Sequence, residues 1–420
     1  MAEKMKQTSH YKHILIVILG CTLLLHIAAF SKSFCDWYTD NLYPYWAEWL
    51  GRLTAKLPFV LGEFLILLAA VLVLLALVFL ILLPFLRKKQ GYRKFTAGYF
   101  KTLLMILCGS LLYYSLVWAV PFRGSVLGNG KSDQRTKFSY QEITALMRYV
   151  SEQADAAAAE IEIRADGSVD FPTAEMYRPR IEAALQALSE EYPRLNGYYP
   201  PVKDALCSEI LLRMDIAGVT FPYTMETLHE KYYAQNPLAQ PLTDAHELCH
   251  HMGYYKESAA NFLSELALAG SEDPFLRLSA YKEMHFYLNE DYLSAREEYV
   301  KAVCAERGIS YPNLDFDTLR SLPKDERKAL LNELRRLDAE YGGEYPAPGD
   351  RCYEIDDAAR GIEQEEYDAA EHPIDEMPAV DNAIGSVGNV GWTAQGAVLQ
   401  EDTYDGVVLL LLQYFDGKLY

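Results

Sequence analysis

The sequence predicts a mainly α-helical membrane protein with a small β edge, in which three N-terminal transmembrane helices precede a large polar domain. Three uninterrupted apolar runs lie within the first 122 residues, and each is close to the roughly 20 residues that cross a bilayer as a helix. The remainder alternates helical apolar spacing with turn signals. The expected parts are a tail, a membrane domain and a polar domain, at 1–12, 13–122 and 123–420.

The three apolar runs define the expected membrane spans. Their bounds are about 13–33, 62–86 and 102–122. The first run alternatively has features of a signal peptide, because Lys4, Lys6 and Lys12 give it a basic start. It is long for such a peptide, and Ala28-Ala29-Phe30 is a poor cleavage site. A retained anchor is therefore favoured.

Basic residues set the expected orientation. They crowd the short connection between the second and third spans at Arg87, Lys88, Lys89, Arg93 and Lys94. Cytoplasmic loops carry such an excess of Lys and Arg. The N-terminal tail and this connection are expected in the cytoplasm, and residues 123–420 outside. Aromatic residues that suit interfacial belts are Trp37, Tyr38, Tyr43, Tyr45, Trp46, Tyr113, Tyr114 and Trp118.

Charge excludes some classes of partner, and the cysteine content bears on disulfide bonds. After residue 120 the chain holds 27 Lys and Arg against 53 Asp and Glu, a balance of −26. Such an acidic domain argues against nucleic acid as a partner and against electrostatic docking on anionic lipid. The seven cysteines are widely spaced and odd in number, which favours unpaired thiols over the alternative of one disulfide, and Cys249 is expected to be buried as packing.

Helical spacing and capping signals predict most of the polar domain. The expected helices are 139–163, 172–192, 204–214, 273–288, 291–307, 315–321, 323–341 and 351–367. One short edge strand is expected at Ile216–Phe221, which is rich in β-branched and aromatic residues. The apolar run 406–412 is too short to span a bilayer and is expected to dock in the core.

The chemistry concentrates in His246-Glu247-Leu248-Cys249-His250 and the nearby Glu257-Ser258-Ala259-Ala260-Asn261. We expect the first segment on a helix that is capped by Thr243 or Asp244 and runs through His251. Gly253 can then take the left-handed conformation that ends a helix. A returning helix would bring Glu257 back beside the two histidines.

These residue types suit a hydrolytic zinc site. Residues four apart project from one helix face, so His246 and His250 can hold one metal ion while Glu247 reaches its bound water as a general base. A hydrolytic zinc takes three protein ligands and keeps one position for water, and two imidazoles with one carboxylate supply that set. Candidates for orienting a ligand are Asn261 and His251. Candidates for binding an oxyanion are Tyr223, His229, Tyr254, Tyr255, Tyr281 and His285.

The pair of motifs resembles the gluzincin type of metallopeptidase, in which HExxH is completed by ExxAN or ExxAD. This resemblance implies that Glu257 is the third ligand of one Zn²⁺ and that the polar domain is zincin-like. The three spans, Gly62-Glu63, Phe221-Pro222-Tyr223-Thr224 and the motif segments also resemble a bacterial membrane family, domain of unknown function 3810 (DUF3810). That family often has a second Glu where this chain has Ala259, and Glu265 is the alternative carboxylate.

Two hypotheses about function follow. The preferred one is a zinc-dependent metallopeptidase at the outer face of a bacterial cytoplasmic membrane, cleaving a protein, peptide or cell-wall amide. The alternative is a non-catalytic, metal-binding membrane receptor or assembly factor with a zincin-like fold. Glu247 favours the enzyme, because a structural zinc site has no use for a general base. An intramembrane protease is disfavoured, because the motif lies far beyond the last span.

Overall fold

The computed structural model is mainly helical and contains one small sheet. It describes residues 2–128, 135–214, 216–231, 236–312, 320–375, 377–386 and 403–420. The helices of the membrane region are α1 Ala2–Ala28, α2 Lys32–Asn41, α3 Tyr43–Thr54, α4 Leu61–Leu86 and α5 Gln90–Tyr114. A π-helical turn, Ser115–Ala119, continues α5 to Phe122. Among the described residues, three helices are long and apolar enough to cross a membrane: α1, α4 and the extended α5.

Helix α5 begins well before the third expected span. Its first turns contain Arg93 and Lys94, which the sequence analysis placed in a connecting loop. Apolarity marks where a helix can enter lipid, but charged residues of good helix propensity do not end the helix itself. The connection from α4 is therefore only a few residues long, around Arg87 to Lys89.

Two residues of the expected aromatic belt lie in a protein core instead. Tyr38 and Tyr43 are 3% and 1% exposed, and they pack with Met225 and Tyr255 of the polar domain. The interfacial interpretation is therefore wrong for this pair, because α2 and α3 fold back under the polar domain. Tyr45 is 74% exposed, as a belt residue would be.

The polar domain is built from helices around a three-stranded sheet. Its helices are α6 Tyr140–Ala159, α7 Ala174–Ala187, α8 Ser208–Arg213, α9 Gln240–His251, α10 Glu257–Ala269, α11 Pro274–Glu306, α12 Lys324–Tyr341, α13 Asp350–Ala369 and α14 Thr403–Phe415. The strands are β1 Val202–Asp204, β2 Gly218–Phe221 and β3 Glu226–His229. β3 is central, parallel to β1 and antiparallel to β2. The expected edge strand is confirmed as β2.

The main core lies among α6, α10, α11 and α14. Ser139 and Glu142 begin α6 with reciprocal side-chain to backbone hydrogen bonds, a capping box. The expected docking of the last apolar run is confirmed, because Val407 and Leu411 are fully buried in this core. Apolar contact among these helices accounts for the packing of the polar domain.

Several expected helix bounds are wrong. Helix α9 begins at Gln240, with Pro241 in its first turn, so neither Thr243 nor Asp244 caps it. Proline is well tolerated there because the first amides of a helix have no partner to lose. The two helices expected over 273–307 form the single helix α11, since no Gly or Pro interrupts it. Most of the helix expected at 315–321 lies outside the described residues.

The second span is fastened to the sheet through helix ends. The Glu226 carboxylate of β3 accepts the backbone N–H groups of Leu61 and Gly62 at 3.0 and 2.9 Å, which caps α4. Gly62 is needed, because a β-carbon there would lie 2.3 Å from the ring of Phe221 in β2. Glu63 in turn accepts two backbone amides immediately before α8. The start of α4 is therefore packed against the sheet.

Candidate metal centre

A tight turn joins the two helices that carry the motifs. Gly253 has a φ of 91°, the left-handed conformation expected for it. Its N–H donates to the His250 carbonyl oxygen at 3.0 Å. A β-carbon at this position would also lie 3.0 Å from Thr39 and 3.2 Å from Tyr43. Glycine thus satisfies both the turn and the close approach of the membrane-proximal helices α2 and α3.

The turn brings the three expected ligands together. Glu257 Oε2 lies 3.2 Å from His246 Nε2 and 3.5 Å from His250 Nε2. These three residues are the one group among the described residues that offers three such ligand atoms within 4.8 Å of one another. The returning helix that the sequence predicts therefore does carry Glu257 to the histidine pair.

A backbone contact orients one of the imidazoles. The carbonyl oxygen of Tyr254 lies 2.8 Å from His250 Nδ1, so that nitrogen must donate the hydrogen bond. His250 then presents Nε2 towards Glu257, and a neutral ring in this tautomer has its lone pair there. The Tyr255 ring is stacked on His250 at 6.4 Å between centroids. The turn thus supplies both the fold reversal and the orientation of a ligand.

Burial and neighbouring charges have opposite effects on the pKa values of His250 and Glu257. Burial lowers the pKa of His250, but Glu257, Glu247 and the hydrogen bond to the Tyr254 backbone together raise that pKa to about 9. Burial conversely raises the pKa of Glu257, but His250 and His246 hold it well below its usual range. A cation at this point would stabilise the carboxylate in the same way as the protonated ring.

Glu247 lies beside the cluster, held by the sheet. Thr220 Oγ1 of β2 is 2.9 Å from Glu247 Oε2 and 2.8 Å from its carbonyl oxygen. A β-carbon on Gly218 would lie 2.7 Å from Glu247 Cγ and 2.8 Å from Oε1. Burial raises the pKa of Glu247 above its ordinary value, although the nearby histidines oppose this. β2 therefore fixes a carboxyl group whose affinity for a proton is increased.

The site opens into a cavity of about 520 Å³. It is lined by the segment 216–222, which contains β2, and by residues of α9, α10 and α11. Trp118, in the π-helical turn at the end of the third membrane helix, also lines it. The cavity is thus lined by the cluster of His246, His250 and Glu257, by the edge strand β2 and by the end of a membrane helix.

The two residues proposed to orient a ligand lie in different surroundings. Asn261 lines the cavity, and its side-chain amide donates to the Tyr287 hydroxyl at 3.2 Å. His251 is fully buried against Gly51 of α3, outside the cavity lining. Burial lowers the pKa of His251 to about 4, so the ring is neutral at ordinary pH. It packs the motif helix against the membrane-proximal helices.

Of the oxyanion candidates, only Tyr255 lines the cavity. Its hydroxyl donates to the Val117 carbonyl oxygen at 2.7 Å and lies 3.0 Å from the Tyr43 hydroxyl. His229 lies between Asp244 and Asp204. The structure does not bring the others to the cavity: Tyr223 contacts α5, Tyr254 is buried beside Arg194, Tyr281 is in the main core, and His285 contacts Pro346.

Ala259, the position at which the resemblance leads to the expectation of a second Glu, belongs to the core. It is fully buried in the main core and does not line the cavity, whereas Glu257 does. The face of α10 that meets the histidines therefore carries Glu257, then Asn261, then Glu265. Cys249 is also fully buried and unpaired, and all seven cysteines are free, as expected.

The contribution of β2 to the site was not predicted. The strand itself was expected, but the contacts of Gly218 and Thr220 with Glu247 were not. A glycine inside a strand pattern is a signal of close backbone approach and was available at Gly218. The hydrogen bond of Tyr43 to the His251 carbonyl oxygen, at 3.0 Å, had no local signal.

Comparison with known proteins identifies one family. The model of a family described as "Protein of unknown function (DUF3810)" matches residues 38–309. The matched segment runs from α2 to the end of α11 and contains His246, His250 and Glu257. No curated protein and no solved structure matches the chain.

Proposed function

The chain belongs to the DUF3810 family, and from its site we propose that it is a membrane-anchored, zinc-dependent metallopeptidase of the gluzincin type. It would hydrolyse a peptide or amide bond at the outer face of the membrane. The observation that carries the proposal is the spacing of the ligand atoms, with an additional buried glutamate beside them.

The donor set and its spacing fit one zinc ion. Tetrahedral zinc with ligands at about 2.0–2.1 Å places those ligands about 3.4 Å from one another. The separations of Glu257 Oε2 from the two histidine nitrogens are 3.2 and 3.5 Å. Two imidazoles and one carboxylate leave a fourth position open, as hydrolytic zinc sites do. A bound zinc would supply Lewis acidity, polarising a carbonyl and acidifying water.

Glu247 is assigned the proton transfers. Thr220 contacts Oε2 and so fixes the plane of the carboxylate, while Oε1 lies against Gly218 at the cavity wall. Oε1 would take a proton from water as the carbonyl is attacked and deliver it to the leaving amine. A carboxyl group with a raised pKa holds the proton more readily between these two steps.

The strand β2 suits an extended substrate. It pairs with β3 on one side, and among the described residues no strand pairs with its other side. A peptide laid along this edge would be recognised by backbone hydrogen bonds and would pass the cluster. Trp118 at the cavity favours a substrate close to the membrane surface, since this residue lies in the last turns of a membrane helix. The basic residues around Arg87, at the opposite end of that helix, favour the outer face for the cavity.

Metal content and turnover test the proposal together. Full-length protein in detergent should contain about one zinc per chain by elemental analysis. His246→Ala should lose the zinc, whereas His285→Ala, which removes a histidine outside the cluster, should keep it. Glu247→Gln should keep zinc and abolish hydrolysis of a quenched peptide library, with Glu290→Gln as the matched exposed control. Zinc binding without hydrolysis by the wild type would favour the non-catalytic receptor instead.

A further inference from the structure

The cavity contains a second acidic pair that the proposed reaction does not use. Glu265 of α10 and Glu283 of α11 both line it, together with Tyr287 and Ser264. Glu265 is fully buried, and neither of its carboxylate oxygens has a hydrogen-bond partner. A buried carboxyl group without a partner is costly, so its presence at a cavity calls for an explanation.

Charge at the cavity points to a cationic ligand. Its lining contains four glutamates, Glu247, Glu257, Glu265 and Glu283, and no Lys or Arg. One zinc ion would offset the two glutamates at the cluster, whereas the cavity lining offers no Lys or Arg to the second pair. Burial keeps the pKa of Glu283 above its ordinary value although the charge of Lys282 lowers it, and the Lys282 ammonium group forms its ion pair with Asp356. The mutual repulsion of the pair raises the pKa of Glu265, after burial as the larger cause.

The pair offers too few ligands for a metal of its own. Among the described residues, Glu265 and Glu283 belong to no group of three His, Cys, Asp or Glu side chains that could hold an ion. A divalent cation prefers several oxygen ligands in a defined geometry. A primary ammonium group needs only a few acceptors, and two carboxyl groups with the nearby hydroxyls of Tyr287 and Ser264 provide them.

We propose that Glu265 and Glu283 form a subsite for a primary ammonium group of the substrate. The inference rests on the proposed function, because it defines which peptides the site would accept. Glu257 and Glu265 are two turns apart on α10, which is about 12 Å along the helix axis. That distance suits either a lysine-type side chain near the cleaved bond or the free N-terminus of a short peptide.

Tyr287 links this subsite to the metal cluster. Its hydroxyl accepts a hydrogen bond from Asn261 at 3.2 Å and interacts with the Glu283 carboxylate. Asn261 lies one turn beyond Glu257 on the same helix. An ammonium group bound by Glu265 and Glu283 would therefore have a fixed position relative to the metal ligands. The face of α10 and the hydrogen bonds of Tyr287 would set that position.

Binding of matched inhibitors tests the subsite without turnover. Full-length, zinc-loaded protein in detergent is titrated with a peptide hydroxamate that carries a lysine side chain and with its norleucine counterpart. A second pair compares a free with an acetylated N-terminus, which distinguishes the two sources of the ammonium group. In at least one pair the charged probe should bind about 10-fold more tightly or better, as expected for a charge-assisted hydrogen bond in a cavity.

Variants assign that preference to the pair. In Glu265→Gln and in Glu283→Gln the preference should fall below about 3-fold, whereas the exposed Glu290→Gln on α11 should leave it unchanged. Equal binding of both probes by the wild type, or an unchanged preference in both variants, would overturn the subsite. If the wild type holds no zinc, the peptidase proposal fails, and the corresponding peptide amides, which do not chelate metal, still decide the subsite.

Discussion

Gly218 of β2 lies so close to Glu247 of α9 that any β-carbon at position 218 would fall 2.7 Å from Glu247 Cγ. The strand therefore sets the position of the carboxyl group that we assign to proton transfer. Because displacements of about 1 Å can lower rates about 100-fold, the contact is expected to matter for turnover more than for folding.

Gly218→Ala should accordingly lower peptide hydrolysis by about 100-fold while the protein keeps its zinc. The three atoms nearest to the added methyl group all belong to the Glu247 side chain, so this carboxyl group is displaced first. Gly361→Ala is the matched control, because a β-carbon there would meet nothing within 4 Å. Parallel measurement of zinc content and hydrolysis checks the prediction, and loss of zinc in Gly218→Ala would contradict it.

Zinc should stabilise the folded protein through the cluster. A ligand that binds only the folded state adds about 4 kcal/mol when its free concentration is 1,000 times its dissociation constant. Removing zinc with a chelator should therefore lower the unfolding midpoint in detergent, and restoring zinc should raise it again. Glu257→Ala should abolish this response, whereas Glu272→Ala, just beyond α10, should retain it. An undiminished response in Glu257→Ala would show that this glutamate is not a ligand.

Arg194 should be a major stabilising residue of the turn between the motif helices. Its buried guanidinium contacts Asp36 and Asp40 of α2 and donates to the Gly253 carbonyl oxygen at 3.3 Å. Arg194→Met would remove the cation beside the buried Asp36 and the partly buried Asp40, at a cost of about 3 kcal/mol. The unfolding midpoint should fall, whereas removal of the exposed Arg336 by the same substitution should leave it unchanged. A midpoint equal to that of the wild type would contradict this role.

His229 should make stability depend on pH. Burial lowers its pKa, but hydrogen bonds from its ring to Asp204 and Asp244 raise it to about 9, above the ordinary 6.5. Since the folded state holds the proton more tightly, this contribution is complete below about pH 6.5 and is lost as the pH rises through about 9. It amounts to up to about 2 kcal/mol, because the exposed Asp204 is screened by solvent.

Unfolding midpoints between pH 6 and 10 measure this dependence. The decline above pH 7 should be smaller in His229→Gln than in the wild type, because glutamine carries no charge to lose. His10→Gln, at an exposed position of α1, controls for the loss of a histidine. Equal pH profiles for the wild type and His229→Gln would contradict the prediction.

Local sequence signals predicted the elements that carry the cluster. The spacing of His246 and His250 predicted one helix face, and Gly253 predicted the turn after it. Both follow from the chain within a few residues, so no distant contact is needed to anticipate them. The return of Glu257 to the histidines was anticipated in the same way and agrees with the structure.

Features that depend on distant contacts could not be predicted. Strand β3 is buried along its whole length although it reads Glu-Thr-Leu-His. Its Glu226 is satisfied by Lys203 and the start of α4, and its His229 by two aspartates. A strand whose polar residues find partners far along the chain has no alternating pattern to recognise. The burial of Tyr43 escaped prediction for the same reason.

The packing of α2 and α3 beneath the motif turn determines how the protein can be handled. A shortened chain that begins after the third membrane helix would lack Asp36, Tyr43 and Gly62. Those residues, respectively, pair with Arg194, hold the His251 carbonyl oxygen and receive Phe221. Such a fragment would expose to water the surface of the polar domain that α2 and α3 cover in the intact chain. It would be prone to aggregate. Biochemistry on the site therefore belongs in detergent or lipid, with the chain intact.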